Sequence, residues 1–133
     1  MTTLNVKEIY HDLHQMPELG LEEYKTSAYL AEAMEKLGYE VTRNVGSTGV
    51  VAIEKGEEDG PVLLLRADMD ALPFVVDGKP VNIHACGHDA HSAMLLAAAS
   101  VIKGEIKRGT LKILFQPAEE TLKGALGVIE AGV

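Results

Sequence analysis

One cysteine, few basic residues and no long apolar run set the first limits on this chain of 133 residues. A single thiol, Cys86, closes no internal disulfide, so it is either buried filler or a ligand. No segment approaches the ~18 uninterrupted apolar residues of a membrane span. A composition of 47% apolar and 24% charged residues instead fits a globular fold. The opening stretch, MTTLNVKEIYHDL, has neither a basic n-region nor an apolar h-region, which makes a cytoplasmic location the expectation. Twelve Lys and Arg against twenty Asp and Glu give a net charge of −8, and the basic residues are scattered. Phosphate neutralisation needs them clustered, so neither nucleic acid nor an anionic membrane is an expected partner. HExxH, GxSxG, paired CxxC and a phosphate-binding glycine loop are also missing. Their absence argues against zincin, serine-hydrolase, zinc-ribbon and nucleotide-binding chemistry.

What is present reads as one domain of α/β type. Val6, Ile9, Tyr10 and Leu13 fall at helical spacing after Asn5, a candidate N-cap, and Pro17 closes the segment. A second helix is expected over 22–37, with Tyr24, Ala28, Ala31, Met34 and Leu37 inward and Gly38 as the stop, the two helices forming a hairpin. Short β-rich runs follow at 39–42, 50–53 and 62–66. The last, VLLLR, is apolar at four consecutive positions, as expected of a central strand covered on both faces. AHSAMLLAAASVI (90–102) predicts a helix, LKILF (111–115) a strand, and 124–131 a final helix.

In open α/β sheets, ligands gather beyond the carboxyl ends of the strands. ADMDALP, with Asp68 and Asp70, directly follows VLLLR, and QPAEE, with Glu119 and Glu120, directly follows LKILF. HACGHDAH (84–91), holding three of the five histidines and the only cysteine, precedes the Ala-rich helix. Each element alone has an ordinary structural explanation: turn chemistry for Asp-x-Asp, a solvated face for paired glutamates, a helix cap for Asp89. Together they place a thiol, imidazoles and hard oxygen ligands at one crevice, a combination suited to a divalent transition metal. Beside imidazoles, a helix N-terminus and a cation, Cys86 is expected to have a depressed pKa. An adjacent glutamate has the chemistry of a proton shuttle between water and a leaving amine.

The chain resembles the M20 metallopeptidase and amidohydrolase family, in its branch of hippurate hydrolases, N-acyl-amino-acid amidohydrolases and N-acetyldiaminopimelate deacetylases. The motifs run through the whole sequence: HQMPELGLEEYKT, STGVVA, LLRADMDALP, HACGHDAHSAMLL, LFQPAEE and GALGVIEAGV. This resemblance implies a layered α/β/α zinc-peptidase-like catalytic domain and a pair of divalent metal ions, Zn, Mn, Co or Ni. It places Cys86, His88 and Glu120 as metal ligands, Cys86 in the bridging position. The catalytic set it implies is Glu119, as general base, with Asp68 and Asp70, Asp70 as the orienting aspartate. His84 and His91 fall to supporting roles, and His14 to packing. The implied activity is metal-dependent hydrolysis of the amide bond of N-acyl amino acids or small peptides, in a protein that forms a homodimer or higher oligomer.

Family members are about three times as long. The resemblance makes residues 1–133 the N-terminal portion of the catalytic domain and puts two further histidine ligands, the remaining strands and the lid and dimerisation domain beyond Val133. From this chain alone, weak metal binding, little or no turnover and an exposed sheet edge are expected. The alternative is a non-catalytic chain that only binds metal or a partner.

Overall fold

The structure, a computed structural model, describes residues 3–133. Helix α1 (Val6–His14) starts where Asn5 Oδ1 accepts hydrogen bonds from the backbone N–H of Lys7 and Glu8, at 2.9 and 3.4 Å. Helix α2 (Tyr24–Leu37) has no cap from its preceding residue. Glu18, in the PELG turn, supplies one instead, accepting from the N–H of Lys25 and Thr26 at 2.9 and 2.7 Å. These are donors that a helix N-terminus leaves without intrahelical partners.

Four strands follow in one sheet: β1 (Glu40–Val45), β2 (Gly49–Lys55), β3 (Glu58–Asp68) and, after an interruption, β6 (Arg108–Gln116). Their spatial order is β1-β2-β6-β3. β1 with β2 and β2 with β6 pair antiparallel; β3 with β6 pairs parallel, bringing Asp68 opposite Gln116. The interruption holds a two-stranded antiparallel hairpin, β4 (Leu72–Val76) and β5 (Lys79–Ile83), and the helix α3 (His88–Ile102). Helix α4 (Gly124–Glu130) ends the order.

The period-2 alternation of β2 and β6 divides the core between the two faces of the sheet. Val50, Ala52, Leu111, Ile113 and Phe115 face α1, α2 and α3, packing with Leu13, Leu30, Met34 and Leu96. Val51 and Leu114 face the other way, with Val45 and Val128 of α4. The result is the expected α/β/α layering.

Four local expectations are corrected. Helix α1 packs chiefly on α3 rather than forming a hairpin with α2, which it touches through the Tyr29 hydroxyl bonded to Asp12 at 2.7 Å. On α2, Tyr24 is 68% exposed and Ala28 is exposed, while Thr26, Ser27 and Leu30 are buried. The apolar face is thus rotated toward the Glu18 cap. VLLLR lies on an edge strand: β3 has a neighbour only in β6, and Val62, Leu63 and Leu64 are exposed. A run apolar on both faces needs cover on both, and the described residues supply it only near Leu65, which packs on the main core. Finally, 72–83, where no strand is expected above, forms a hairpin. Asp77 and Gly78, with φ of 50° and 75°, form a two-residue turn whose left-handed backbone suits the twist of paired strands.

Candidate metal centre

The loops beyond β3 and β6 meet the start of α3, as the strand-end rule anticipates. Asp68 closes β3, and its backbone carbonyl accepts a hydrogen bond from Ser92 of α3 at 2.8 Å, fixing the strand end to the helix. Asp70, with a fully buried side chain, is the hub. Its Oδ1 and its backbone carbonyl face His88 Nδ1 at 3.0 and 2.9 Å, and its Oδ2 accepts from the N–H of Glu120 at 3.0 Å. With Nδ1 held by these acceptors, Nδ1 carries the ring proton and Nε2 is the free lone pair. That nitrogen lies 3.5 Å from Glu120 Oε1 and 3.5 Å from Asp68 Oδ2.

The QPAEE loop is held in a strained conformation. Ala118, fully buried, has φ of 50°, a left-handed value that side chains other than glycine adopt at a cost of about 1–3 kcal/mol. Contacts on both its N–H and its carbonyl, the latter including the Thr121 hydroxyl at 3.2 Å, hold it there. Its N–H donates to Glu23 Oε2 at 2.8 Å, while Glu23 Oε1 accepts from the Thr48 hydroxyl at 2.9 Å. Its carbonyl accepts from the N–H of Gly124 at 3.1 Å, where a Cβ on Gly124 would collide with the Pro117 carbonyl oxygen. Glu23 is completely buried, and burial outweighs its hydrogen bonds to raise its pKa above the ordinary 4.5.

Among the described residues two groups of ligand atoms converge, each within 4.8 Å: Cys86, His88 and Glu120, and Asp68, His88 and His91. The first is the trio that the motifs pointed to. Bonds of about 2.0–2.1 Å put ligand atoms about 3.4 Å apart around a tetrahedral ion. The 3.5 Å between His88 Nε2 and Glu120 Oε1 fits that edge. In the chain itself, the Cys86 thiol is pushed up to about 11, first by its hydrogen bond to the Glu120 carboxylate, then by partial desolvation and by the charges of Glu120, Glu119 and Asp70. The expected depression is therefore corrected for the metal-free chain, because the neighbouring carboxylates disfavour a second negative charge on the thiol. A cation among those carboxylates reverses the balance.

The remaining candidates are placed as follows. Glu119 is half-buried beside Glu120, near enough to bear on the thiol. His14 lies outside both groups, its Nδ1 2.7 Å from Asp89 Oδ2, and this contact ties α1 to α3. His84 is buried with neither ring nitrogen hydrogen-bonded, and burial lowers its pKa below 6.5, favouring the neutral ring. His91, half-exposed, sets its Nδ1 2.8 Å from Asp68 Oδ1 and lines an open groove with Arg66 and Met94. Sequence reasoning left Glu23 unmentioned, since a glutamate ahead of a helix carries no sign of burial. It also treated His91 only as a support, although its position three residues after His88 puts both rings on one helix face.

Comparison with known proteins gives the family. The chain is 42% identical to the hippurate hydrolase of Campylobacter jejuni over 96% of its own length and 35% of that protein's. It is 45% identical to thermostable carboxypeptidase 1 of Saccharolobus solfataricus, again over 95% of this chain and 35% of the relative. The chain thus spans about a third of the length of the curated relatives it matches. Among solved structures, the Bacillus subtilis YXEP protein, a dinuclear metal binding peptidase from the M20 family, superposes with a TM-score of 0.84 at 40% identity, covering 96% of this chain and 38% of that one. The sequence profile of peptidase family M20/M25/M40 matches residues 64–133, which include every residue of both ligand groups. The match takes in more than half of the sequence, and the chain belongs to the peptidase family M20/M25/M40.

Proposed function

We propose that this chain supplies the Cys86, His88 and Glu120 side of a divalent metal centre in an amidohydrolase that cleaves N-acyl amino acids or small peptides. The observation that carries the reading is the convergence of those three ligand atoms around a His88 ring locked by Asp70. The hippurate hydrolase and carboxypeptidase among its relatives support the substrate class. The dinuclear peptidase supports two ions per complete site, with Zn, Mn, Co and Ni all compatible with the donor set. When bound, such ions polarise a carbonyl and lower the pKa of water.

The chain's own residues then have distinct jobs. Cys86 Sγ, His88 Nε2 and a Glu120 oxygen would hold the ion, with Asp70 orienting the His88 ring and accepting from the backbone N–H of Glu120. Glu119 takes the proton of the attacking water and delivers it to the leaving nitrogen. The C–O bond forms, the amide C–N bond breaks, and a carboxylic acid and an amine result.

A second reading, a chain that binds metal or a partner without turnover, draws on the exposed apolar edge of β3. Hydrolysis of N-acetyl and N-benzoyl amino acids with zinc or manganese separates the two. It should be measured for this chain and for longer proteins that contain it. The enzymatic reading expects metal-dependent release of amino acid from the longer forms and its loss in Glu119→Gln. Inactive long forms, or activity indifferent to Glu119→Gln, would sink it.

A further inference from the structure

Besides the trio assigned above, the second ligand group has a composition and geometry of its own. We infer that Asp68, His88 and His91 form an alternative cation subsite, which competes with Cys86 and Glu120 for the single free nitrogen of His88. The inference rests on the reading that His88 binds a divalent ion.

The geometry brings three elements together. His88 opens α3 and His91 stands three residues later on the same face, the two rings 5.7 Å apart and 28° from parallel. Asp68, at the end of β3, meets both rings: its Oδ1 accepts from His91 Nδ1 at 2.8 Å, a proton that a bound cation would displace, and its Oδ2 lies 3.5 Å from His88 Nε2 and 3.6 Å from Arg66 Nη1. These separations bracket the ligand-to-ligand edges of about 3.0 Å in an octahedron and about 3.4 Å in a tetrahedron built on bonds of about 2.1 Å. The Asp68 side chain is buried and the His91 side chain is 49% exposed, so the pair has one fixed member and one with access from the groove.

The two groups share a nitrogen but differ in chemistry. Cys86, His88 and Glu120 offer a sulfur, a nitrogen and an oxygen; Asp68, His88 and His91 offer two imidazoles and one carboxylate. Soft cations favour thiolate, whereas a two-histidine, one-carboxylate set with open positions suits harder six-coordinate ions such as manganese or ferrous iron. His88 Nδ1 is occupied by Asp70, so one lone pair at Nε2 serves either group and never both at once. Cation softness then selects the group: cadmium goes to the Cys86 side and manganese to the His91 side.

The test titrates the full 133-residue chain with manganese, followed by the electron paramagnetic resonance of the free ion, and with cadmium, followed by the ultraviolet thiolate-to-metal charge-transfer band. His91→Ala is expected to weaken manganese binding about tenfold or more and leave the cadmium band unchanged; Cys86→Ser is expected to do the reverse. Cadmium at one equivalent should release bound manganese. In the unaltered chain, manganese should leave the exposed Cys86 thiol as reactive toward a disulfide reagent as it is without metal, a readout independent of how any variant folds. Manganese affinity indifferent to His91→Ala, protection of that thiol by manganese, or simultaneous binding of both ions overturns the subsite while leaving the Cys86 reading intact. Failure of either ion to bind overturns both.

Discussion

Asp70 commits both carboxylate oxygens to the candidate centre, one to the His88 ring and one to the Glu120 amide. Asp70→Ala removes both restraints, so His88 is free to change tautomer and the QPAEE loop loses its tie to the β3 end. Metal affinity is expected to fall about 10- to 100-fold, as for other groups that orient a ligand without touching the ion, and zinc titration against a chromophoric chelator reads it. Glu23 makes a different prediction. Its pKa is raised by burial, so the folded chain holds the proton more tightly than the unfolded one. Stability tied to this proton is fully present below about 4.5 and is lost as pH rises through the raised folded value. Glu23→Gln cannot ionise and should lack this component. Denaturant midpoints for the two proteins, compared from pH 4 upward, should show the unaltered chain losing stability relative to the variant; parallel curves would refute the assignment. At this scale the candidate ligands were legible because thiol, imidazole and carboxylate stand in short motifs that the fold brings together. Glu23 was not, because its partners, Thr48 and Ala118, are 25 and 95 positions away.

Helix α4 matters to the centre through its first residue. Any side chain at Gly124 collides with the Pro117 carbonyl, so Gly124→Ala must push α4 away or shift the strained loop that carries Glu119 and Glu120. A stability loss of about 1–3 kcal/mol, the usual range for overpacking, is expected in urea unfolding, with weaker metal binding alongside. Elements with strong local signals were read correctly: the Asn5 cap, the strand before each acidic motif and the apolar helix α3. The β4–β5 hairpin was missed although Asp77-Gly78 is the dipeptide its turn requires. The rotation of α2 was not available from spacing alone, because a carboxylate from the preceding turn caps the helix and buries Thr26 beside it.

For the molecule as a whole, α/β layering followed from the alternation of element types, and the meeting of the three motifs followed from where sheets of this class bind ligands. Strand order did not follow, since apolarity reports how much cover a strand needs and not which neighbour supplies it. β3 shows the difference, with Val62, Leu63 and Leu64 exposed along an edge that has a row of free backbone groups. Such edges template association unless charge interrupts them. Light scattering across a concentration series should show self-association of this chain and its reduction in Leu63→Lys; a monomeric unaltered chain at high concentration would contradict this.

The clamp made by Glu23 also orders events in time. A chain emerging from the ribosome can complete α1 and α2 early, yet Glu23 cannot accept from the Ala118 amide until that residue has been made, 95 positions later. Placement of the glutamate pair therefore waits until β2 and β3 exist and β6 has joined them. Pulse-labelled hydrogen exchange should find the Ala118 amide among the last to gain protection.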